Sequence, residues 1–435
     1  MTALHGSSAH PGLRVDERGG RNGAVAPGLV LMLGAVFGAS CGDMGAGLPV
    51  ASVRDSAGVT IAENRVPDST AVTWWRVEPP PLVDIGGADA DESESLFRVG
   101  GALRLPDGRI VVSNGGSAEV RWFGADGRLI HTSGRRGDGP GEFQRPARIV
   151  HLPGDSVLVA EAVGGRMTVL DPAGEYVRDV TLGGAGAAAL SLVGRLADGR
   201  LIARTSELSG IGDLSEGMIR PNVVLLAVTP DGERIDTVVV APGAERFLNI
   251  NQSGGQIRSV EIGTPPFRRS PTYAAAGDEV IVATQDAPEI RVYSAADGRL
   301  VRIIRTGAEI RPVTSEHLDA WIERQTANAP AERRQAIREG LSNLPAGEFI
   351  PPYGEIGVDD LGYLWVADYD DRIRPAGAWS IYGPDGRLAA RIRLPDGMQP
   401  YQAGEDFIVG LERDELDVEH LRVYRLIRAE STTGT

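Results

Sequence analysis

Short apolar segments alternate with polar residues along most of this chain, and tight turns punctuate them at regular intervals. From about residue 80 to 428 the pattern repeats six times. Each unit carries two turns about 20 residues apart, each followed by an alternating segment that reads as a strand with one face buried. The first turn of each unit falls at Gly108, Gly154, Gly199, Gly277, Gly362 and Gly404. The second falls at Gly127, Gly174, Gly232, Gly298 and Gly386, and the sixth unit lacks an obvious one. Asp-Gly and Ala-Gly pairs supply the positive φ that tight hairpins require.

Units of 40–50 residues with four short strands each are the mark of a propeller blade. The expected fold is all-β: a six-bladed β-propeller of four-stranded antiparallel blades, with a small helical insertion between blades 4 and 5. The last unit offers DFIVGLERD and VEHLRVYRLIR but no fourth strand. An N-terminal strand is therefore expected to close the ring, either residues 58–64 (GVTIAEN) or 72–77 (VTWWRV). Closure would remove an edge that invites aggregation.

Several segments resemble NHL-type six-bladed propellers: Gly141-Glu142-Phe143-Gln144-Arg145-Pro146, Val366-Ala367-Asp368 and Asp371-Arg372-Ile373. Asp371 stands where that family usually has Asn. The resemblance covers most of the chain after residue 80 and implies a fold, not an activity.

The N-terminus changes the picture of where the protein works. Residues 24–40 are apolar and end in small side chains, with Arg14, Arg18 and Arg21 upstream, which is a secretory signal pattern. Phe37-Gly38-Ala39-Ser40-Cys41 resembles a bacterial lipobox, with Gly38 where Leu is usual, and Cys41 is the chain's one cysteine. Residues 1–40 are thus expected to be a lipoprotein-type signal peptide, 41–50 a Gly-rich tether and 51–430 a single propeller domain. Asp43 does not directly follow Cys41, so the common inner-membrane retention signal is lacking, and a periplasm-facing or surface outer-membrane lipoprotein is expected. A single cysteine leaves the domain no internal disulfide.

Of 435 residues, 59 are acidic and 44 basic, a net charge of −15, and every basic side chain other than His is Arg. Such a surface repels phosphate backbones, which argues against nucleic acid as a partner. The expected partners are an unidentified protein or a small polar ligand. The membrane enters only through the lipid anchor, and the chain is expected to be a monomer.

Candidate chemistry follows from the turn polarity. The Gly turns all lie on one face of the ring, so the second–third loops and the blade-to-blade crossings share the opposite face. All three long insertions, 207–220, 242–272 and 306–352, fall in that second set. Long loops on one face of a rigid scaffold usually carry function. In the last insertion Thr314 or Ser315 can cap a helix carrying Leu318, Trp321 and Ile322, and Pro330 can begin a second with Ile337, Leu341 and Leu344 on one stripe.

The second strands end at Asn114, Glu161, Thr205, Thr284, Asp368 and Leu411, near the mouth of the central tunnel. Asn114, Glu161 and Asp368 are candidate oxygen ligands for a divalent cation such as calcium. Six-bladed lactonases of the gluconolactonase type use carboxylate and amide ligands in such a mouth, and likeness to them implies a metal-dependent hydrolase or lactonase as the alternative function. Arg148 and Arg204, with Arg145, Arg268 and Arg269, fall on the same face, beside Trp321 and Tyr369. Their forked donors suit a carboxylated or polar ligand.

His131, His151, His317 and His420 are scattered, so no catalytic dyad is expected at the mouth. A cysteine nucleophile is excluded, and no Gly-rich phosphate loop occurs. The leading expectation is a non-enzymatic binding module working through the insertion-bearing face, and a structural cell-envelope module is the third reading. Replacing Cys41 with Ser is expected to move the expressed protein from the detergent to the aqueous phase in Triton X-114 partitioning. A Cys41→Ser variant that stays in the detergent phase would rule out lipidation at this site.

Overall fold

The computed structural model describes residues 51–65, 72–88, 90–91, 94–162, 164–182, 190–206, 216–253, 256–327, 329–370 and 377–428. The signal segment, Cys41, the tether, Asp371-Arg372-Ile373 and most of the 207–220 insertion lie outside them. The architecture is mostly β and propeller-like, with two helices among the described residues.

The repeats of the sequence become four-stranded antiparallel sheets, numbered here in chain order. The first holds Val99–Arg104, Ile110–Asn114, Glu119–Phe123 and Leu129–Ser133. The second holds Pro146–His151, Val157–Glu161, Arg166–Leu170 and Tyr176–Thr181. The third holds Leu190–Arg195, Leu201–Thr205, Asn222–Val228 and Arg234–Pro242. The fourth contains Thr272–Ala276, Glu279–Ala283, Glu289–Ser294 and Leu300–Arg305. The fifth contains Ile356–Val358, Leu364–Ala367, Ala378–Tyr382 and Leu388–Arg393. The sixth contains Gln399–Ala403, Phe407–Arg413 and Glu419–Ile427.

The turn residues do what the pattern requires of them. Gly108 and Gly199 sit at φ 91° and 92°, a region costly for residues with a Cβ. In the Asp-Gly turns the Asp carboxylate accepts a backbone N–H two residues on, as Asp107 does from Arg109 (3.0 Å) and Asp198 from Arg200 (2.9 Å). Gly404 is the exception, as it is absent from the positive-φ glycines.

The sixth sheet takes its fourth strand from the N-terminus, as its missing strand demanded, but from neither expected segment as a whole. Arg76–Gly86 pairs antiparallel with Glu419–Ile427, sharing only Arg76 and Val77 with the candidate 72–77. Its pairing is interrupted between Glu78 and Val83, where three consecutive prolines stand. Proline cannot donate to a ladder, so the run is tolerated only because this is an edge strand. The other candidate does different work. Val59–Asn64 adds in parallel to Leu300–Arg305 of the fourth sheet, with Ala51–Ser56 as its hairpin partner.

Each apolar cluster is shared by two consecutive sheets. Trp122 and Val120 of the first sheet meet Val157 and Val159 of the second. Ile381 and Ile392 of the fifth meet Ile408 and Tyr424 of the sixth. One cluster joins the two ends of the chain: Ile85, Val409 and Leu421 of the sixth sheet pack on Ile110, Val112 and Phe123 of the first. The first strands of all six sheets line one cavity of about 310 Å³.

Asn64 fastens the N-terminal hairpin to two sheets. Its amide donates to the carbonyls of Arg305 and Gly386, both at 3.0 Å, and accepts from Leu388 N–H at 2.8 Å. The side chain is buried. Asn64→Ala strands these partners and is expected to cost about 1–3 kcal/mol, read as a lower urea midpoint. An unchanged midpoint would show that the hairpin contributes nothing to the fold's stability.

Candidate functional site

The insertions gather on the face opposite the Gly turns and pack on one another. The third sheet's second–third loop contributes Gly217–Ile219, and the next crossing contributes the hairpin Arg246–Ser253 and Gln256–Gly263; together they form a three-stranded satellite sheet. The 306–352 insertion carries two helices, α1 (Ser315–Thr326) and α2 (Ala331–Ser342), between the paired segments Arg311–Pro312 and Phe349–Ile350. Thr314 caps α1 as expected, and His317 supplies the return half of the capping box, its Nδ1 accepting from Thr314 N–H at 3.1 Å. On α2 the expected apolar stripe is only half covered: the helix buries no residue fully, and Ile337 is 37% exposed.

An ion network ties these loops to the sheets. The Glu245 carboxylate, buried, accepts from the Arg269 backbone at 2.8 Å and from its guanidinium. Arg269 also reaches Asp286 at 3.0 Å, and Asp286 in turn pairs with Arg220 beside the satellite sheet. Gly347 N–H donates to Pro266 O at 2.9 Å, and Leu344 lies against Gly263.

Between α1 and the sheets lies an open groove of about 370 Å³. Tyr369 and Asp370 floor it from the end of the fifth sheet, Phe267 walls it from the preceding insertion, and His317, Ala320 and Arg324 face it from α1. Phe267 stands edge-on to His317 with ring centroids 6.1 Å apart, and 6.4 Å from Tyr369. Residues of both signs thus surround an aromatic cluster. Tyr369 was expected here; Phe267, His317 and Arg324 were not. Trp321 is half-buried on α1, and Ala320 and Arg324 line the groove in its place.

The polar strand ends have another occupation. The Asn114 side-chain oxygen accepts from Phe97 N–H at 2.8 Å, and its amide donates to Ser117 at 3.0 Å. Glu161 accepts the backbone N–H groups of Gln144 (2.8 Å) and Arg145 (2.6 Å) and pairs with Arg166 at 3.2 Å. In each case a second-strand end holds the crossing segment that leads into its own sheet. Thr205 uses its hydroxyl differently, accepting Val224 N–H at 3.0 Å. Thr284 lies one position past its strand, and Leu411 falls within its own.

Asp368 has a different partner. It pairs with Arg391 at 2.5 Å at the edge of a cavity of about 390 Å³ that also meets Glu355, Asp370, Trp379 and Arg413. Desolvation by the surrounding chain raises its carboxyl above the ordinary Asp value, against the opposing pull of Arg391.

Asn114 and Glu161 thus serve as acceptors for backbone N–H groups, and Asp368 pairs with Arg391. Among the described residues no group of three or more His, Cys, Asp or Glu side chains is placed to hold a metal ion. Among the described residues His151 contacts Asp155 at 3.0 Å and His420 contacts Asp84 at 2.9 Å. Arg148 lines the axial cavity, with Arg204 near enough to repel its charge.

No family model matches the chain, and no curated protein matches it in sequence. Solved structures do align with it. A member of the DUF4221 family from Bacteroides vulgatus is 9% identical, with TM-score 0.47 over 82% of this chain and 98% of that one. A calcium-binding protein, regucalcin, from Agrobacterium tumefaciens is 12% identical, with TM-score 0.38 over 82% and 97%. Virginiamycin B lyase from Staphylococcus aureus is 10% identical, with TM-score 0.38 over 79% and 98%. No helix among the described residues is long and apolar enough to cross a membrane.

Removing the Glu161 carboxylate leaves two backbone N–H groups without their acceptor. Glu161→Ala is expected to cost about 1–3 kcal/mol in chemical denaturation, equally in calcium and in EDTA. A loss confined to calcium-containing buffer would restore Glu161 as a metal ligand.

Proposed function

We propose that this protein is an exported, lipid-anchored binding module. In this reading six blades close into a ring, and the insertion-bearing face takes a small polar ligand in the groove beneath α1. Closure is supported by the apolar seam between the sixth and first sheets and by the cavity that all six first strands line. Export and lipidation rest on the signal-like N-terminus and Cys41.

The observation that carries the binding reading is the groove. Its volume, about 370 Å³, is within the range of small-molecule sites, and its lining sets aromatic and aliphatic surface beside charged groups of both signs. Phe267, His317 and Tyr369 offer flat faces for a planar ligand body. Arg311, Arg324 and Asp370 offer charge of both signs for its polar ends. The ion network of Glu245, Arg269, Asp286 and Arg220 holds the loops still, so that little ordering entropy is lost on binding.

A thermal-shift screen of small planar and zwitterionic compounds is the test. A ligand is expected to raise the melting temperature of the wild-type chain saturably, and Ala320→Trp, which fills the groove from α1, is expected to abolish that shift. A shift that survives Ala320→Trp would place binding elsewhere, and a screen without any saturable ligand would count against the binding reading.

A further inference from the structure

The groove does not end at Phe267. A second cavity, of about 190 Å³, adjoins it, and Phe267 and Ile350 line both spaces. This volume is below the roughly 300–1,000 Å³ of a free-standing small-molecule site, but it can seat one end of a ligand whose body lies in the groove. Its lining is built in advance. Gln285, buried, donates from its side-chain amide to Tyr353 O at 2.7 Å and from its backbone N–H to the Tyr353 hydroxyl at 3.1 Å. Its side-chain oxygen accepts from Ser270 N–H at 2.6 Å. The shared wall is also strained. Phe267 has φ 53°, a left-handed backbone that a bulky residue rarely adopts, and Gln285 in the same lining has φ 63°. Gly347 N–H fixes the Phe267 segment by donating to Pro266 O at 2.9 Å. Strain of this kind is retained where the shape of a site matters.

The two compartments differ in the charge they leave unengaged. In the second cavity Glu245 and Asp286 are occupied by Arg269 and Arg220. Glu348 is exposed there, and among the described residues its side chain makes no hydrogen bond or ion pair. In the groove His317 is engaged in the cap of α1, whereas Arg311 is exposed and likewise without a partner among the described residues. Both charges stand on one two-stranded ribbon: Arg311 is paired with Ile350, and Val313 N–H donates to Glu348 O at 3.0 Å. Two rungs separate them, about 7 Å along an extended strand. Ile350 and Phe267 fill the interval, and Phe349 and Ile310, 43% and 54% exposed, add apolar surface to the second cavity. An unpaired surface charge is ordinary by itself. The order of cation, apolar wall and anion along one continuous concavity is what selects a ligand.

Resting on the groove as the binding site proposed above, we infer that the two cavities form one bipartite site for a short peptide with free ends. Its ammonium group sits in the second cavity beside Glu348, an apolar side chain lies against Phe267 and Ile350, and its carboxylate meets Arg311 in the groove. An extended tripeptide spans about 10 Å, which matches two rungs of the ribbon plus the reach of a side chain at each end.

The test titrates the full chain by calorimetry with the tripeptide Ala-Phe-Ala, its N-acetylated form and its C-terminal amide. The free peptide is expected to bind saturably, and either blocking group to weaken it by about tenfold or more. Glu348→Gln is expected to weaken the free peptide to the same degree and to leave the affinity for the acetylated form unchanged, because the charge it would meet is already gone. Arg311→Gln is expected to behave in the same way toward the free peptide and the amide. Both positions are exposed, so the melting temperatures of these variants should match the wild type. Ala287→Trp, which fills the second cavity, and Ala320→Trp, which fills the groove, are each expected to abolish binding. Binding lost in Ala320→Trp but indifferent to Ala287→Trp, Glu348→Gln and acetylation would keep the groove and overturn the bipartite site. Binding that survives Ala320→Trp would overturn both, and a free peptide that does not bind would overturn the peptide assignment whatever the compound screen of the groove returns.

Discussion

No sheet in this protein can bury its own faces. Each of the six repeat sheets is built on four strands of alternating residues and finds cover in the sheets before and after it, so the fold depends on face-to-face packing between consecutive sheets. Trp122 of the first sheet is buried by the second, and Ile381 of the fifth by the sixth. The arrangement makes the two ends of the chain the critical place, because the first and sixth sheets must cover each other as well. Ile85 from the N-terminal strand packs between Leu421 and Phe123, so that one segment completes a ladder and a core together. A disulfide plays no part in this, since the chain has a single cysteine, Cys41.

Packing of this kind leaves the crossings between sheets to be held by polar groups. Asn114 and Glu161 accept backbone N–H groups from Phe97, Gln144 and Arg145, and Gln285 accepts from Ser270 at 2.6 Å. These are the same residue types, at the same strand ends, that a cation site would use. Chemistry alone does not separate the two roles, because an oxygen that suits calcium also suits an amide N–H. Here the amides lie within bonding distance.

What the rigid frame does not need is carried by the insertions. The insertions on one face are tied down by Glu245, Arg269, Asp286 and Arg220, and they enclose a groove whose walls come from three distant stretches of chain: Phe267, α1 and Tyr369. Where the first strands meet, glycines that permit close approach between neighbouring sheets also leave a space lined, among the described residues, by one charged side chain, Arg148. The groove is open and aromatic.

By itself the sequence determined the repeats, the four strands of each and the position of nearly every turn, because positive φ at Gly and the Asp side-chain acceptor are local requirements. It narrowed the first helix start to Thr314 or Ser315, because a side-chain cap is likewise a local requirement, and the structure uses Thr314. It also showed that the last sheet was short of a strand. Which segment supplies that strand was decided only by tertiary structure. Val59–Asn64 has the better strand pattern, yet the proline-interrupted Arg76–Gly86 takes the place, because partner choice depends on which edge lies within reach and not on propensity. The groove followed the same rule. Tyr369 was legible as a residue near a strand end, but His317 reads as part of a capping box and Phe267 as a loop residue. Only the folding of two insertions over the end of a fifth-sheet strand brings them together, and no local pattern records a contact between segments 50 or more residues apart.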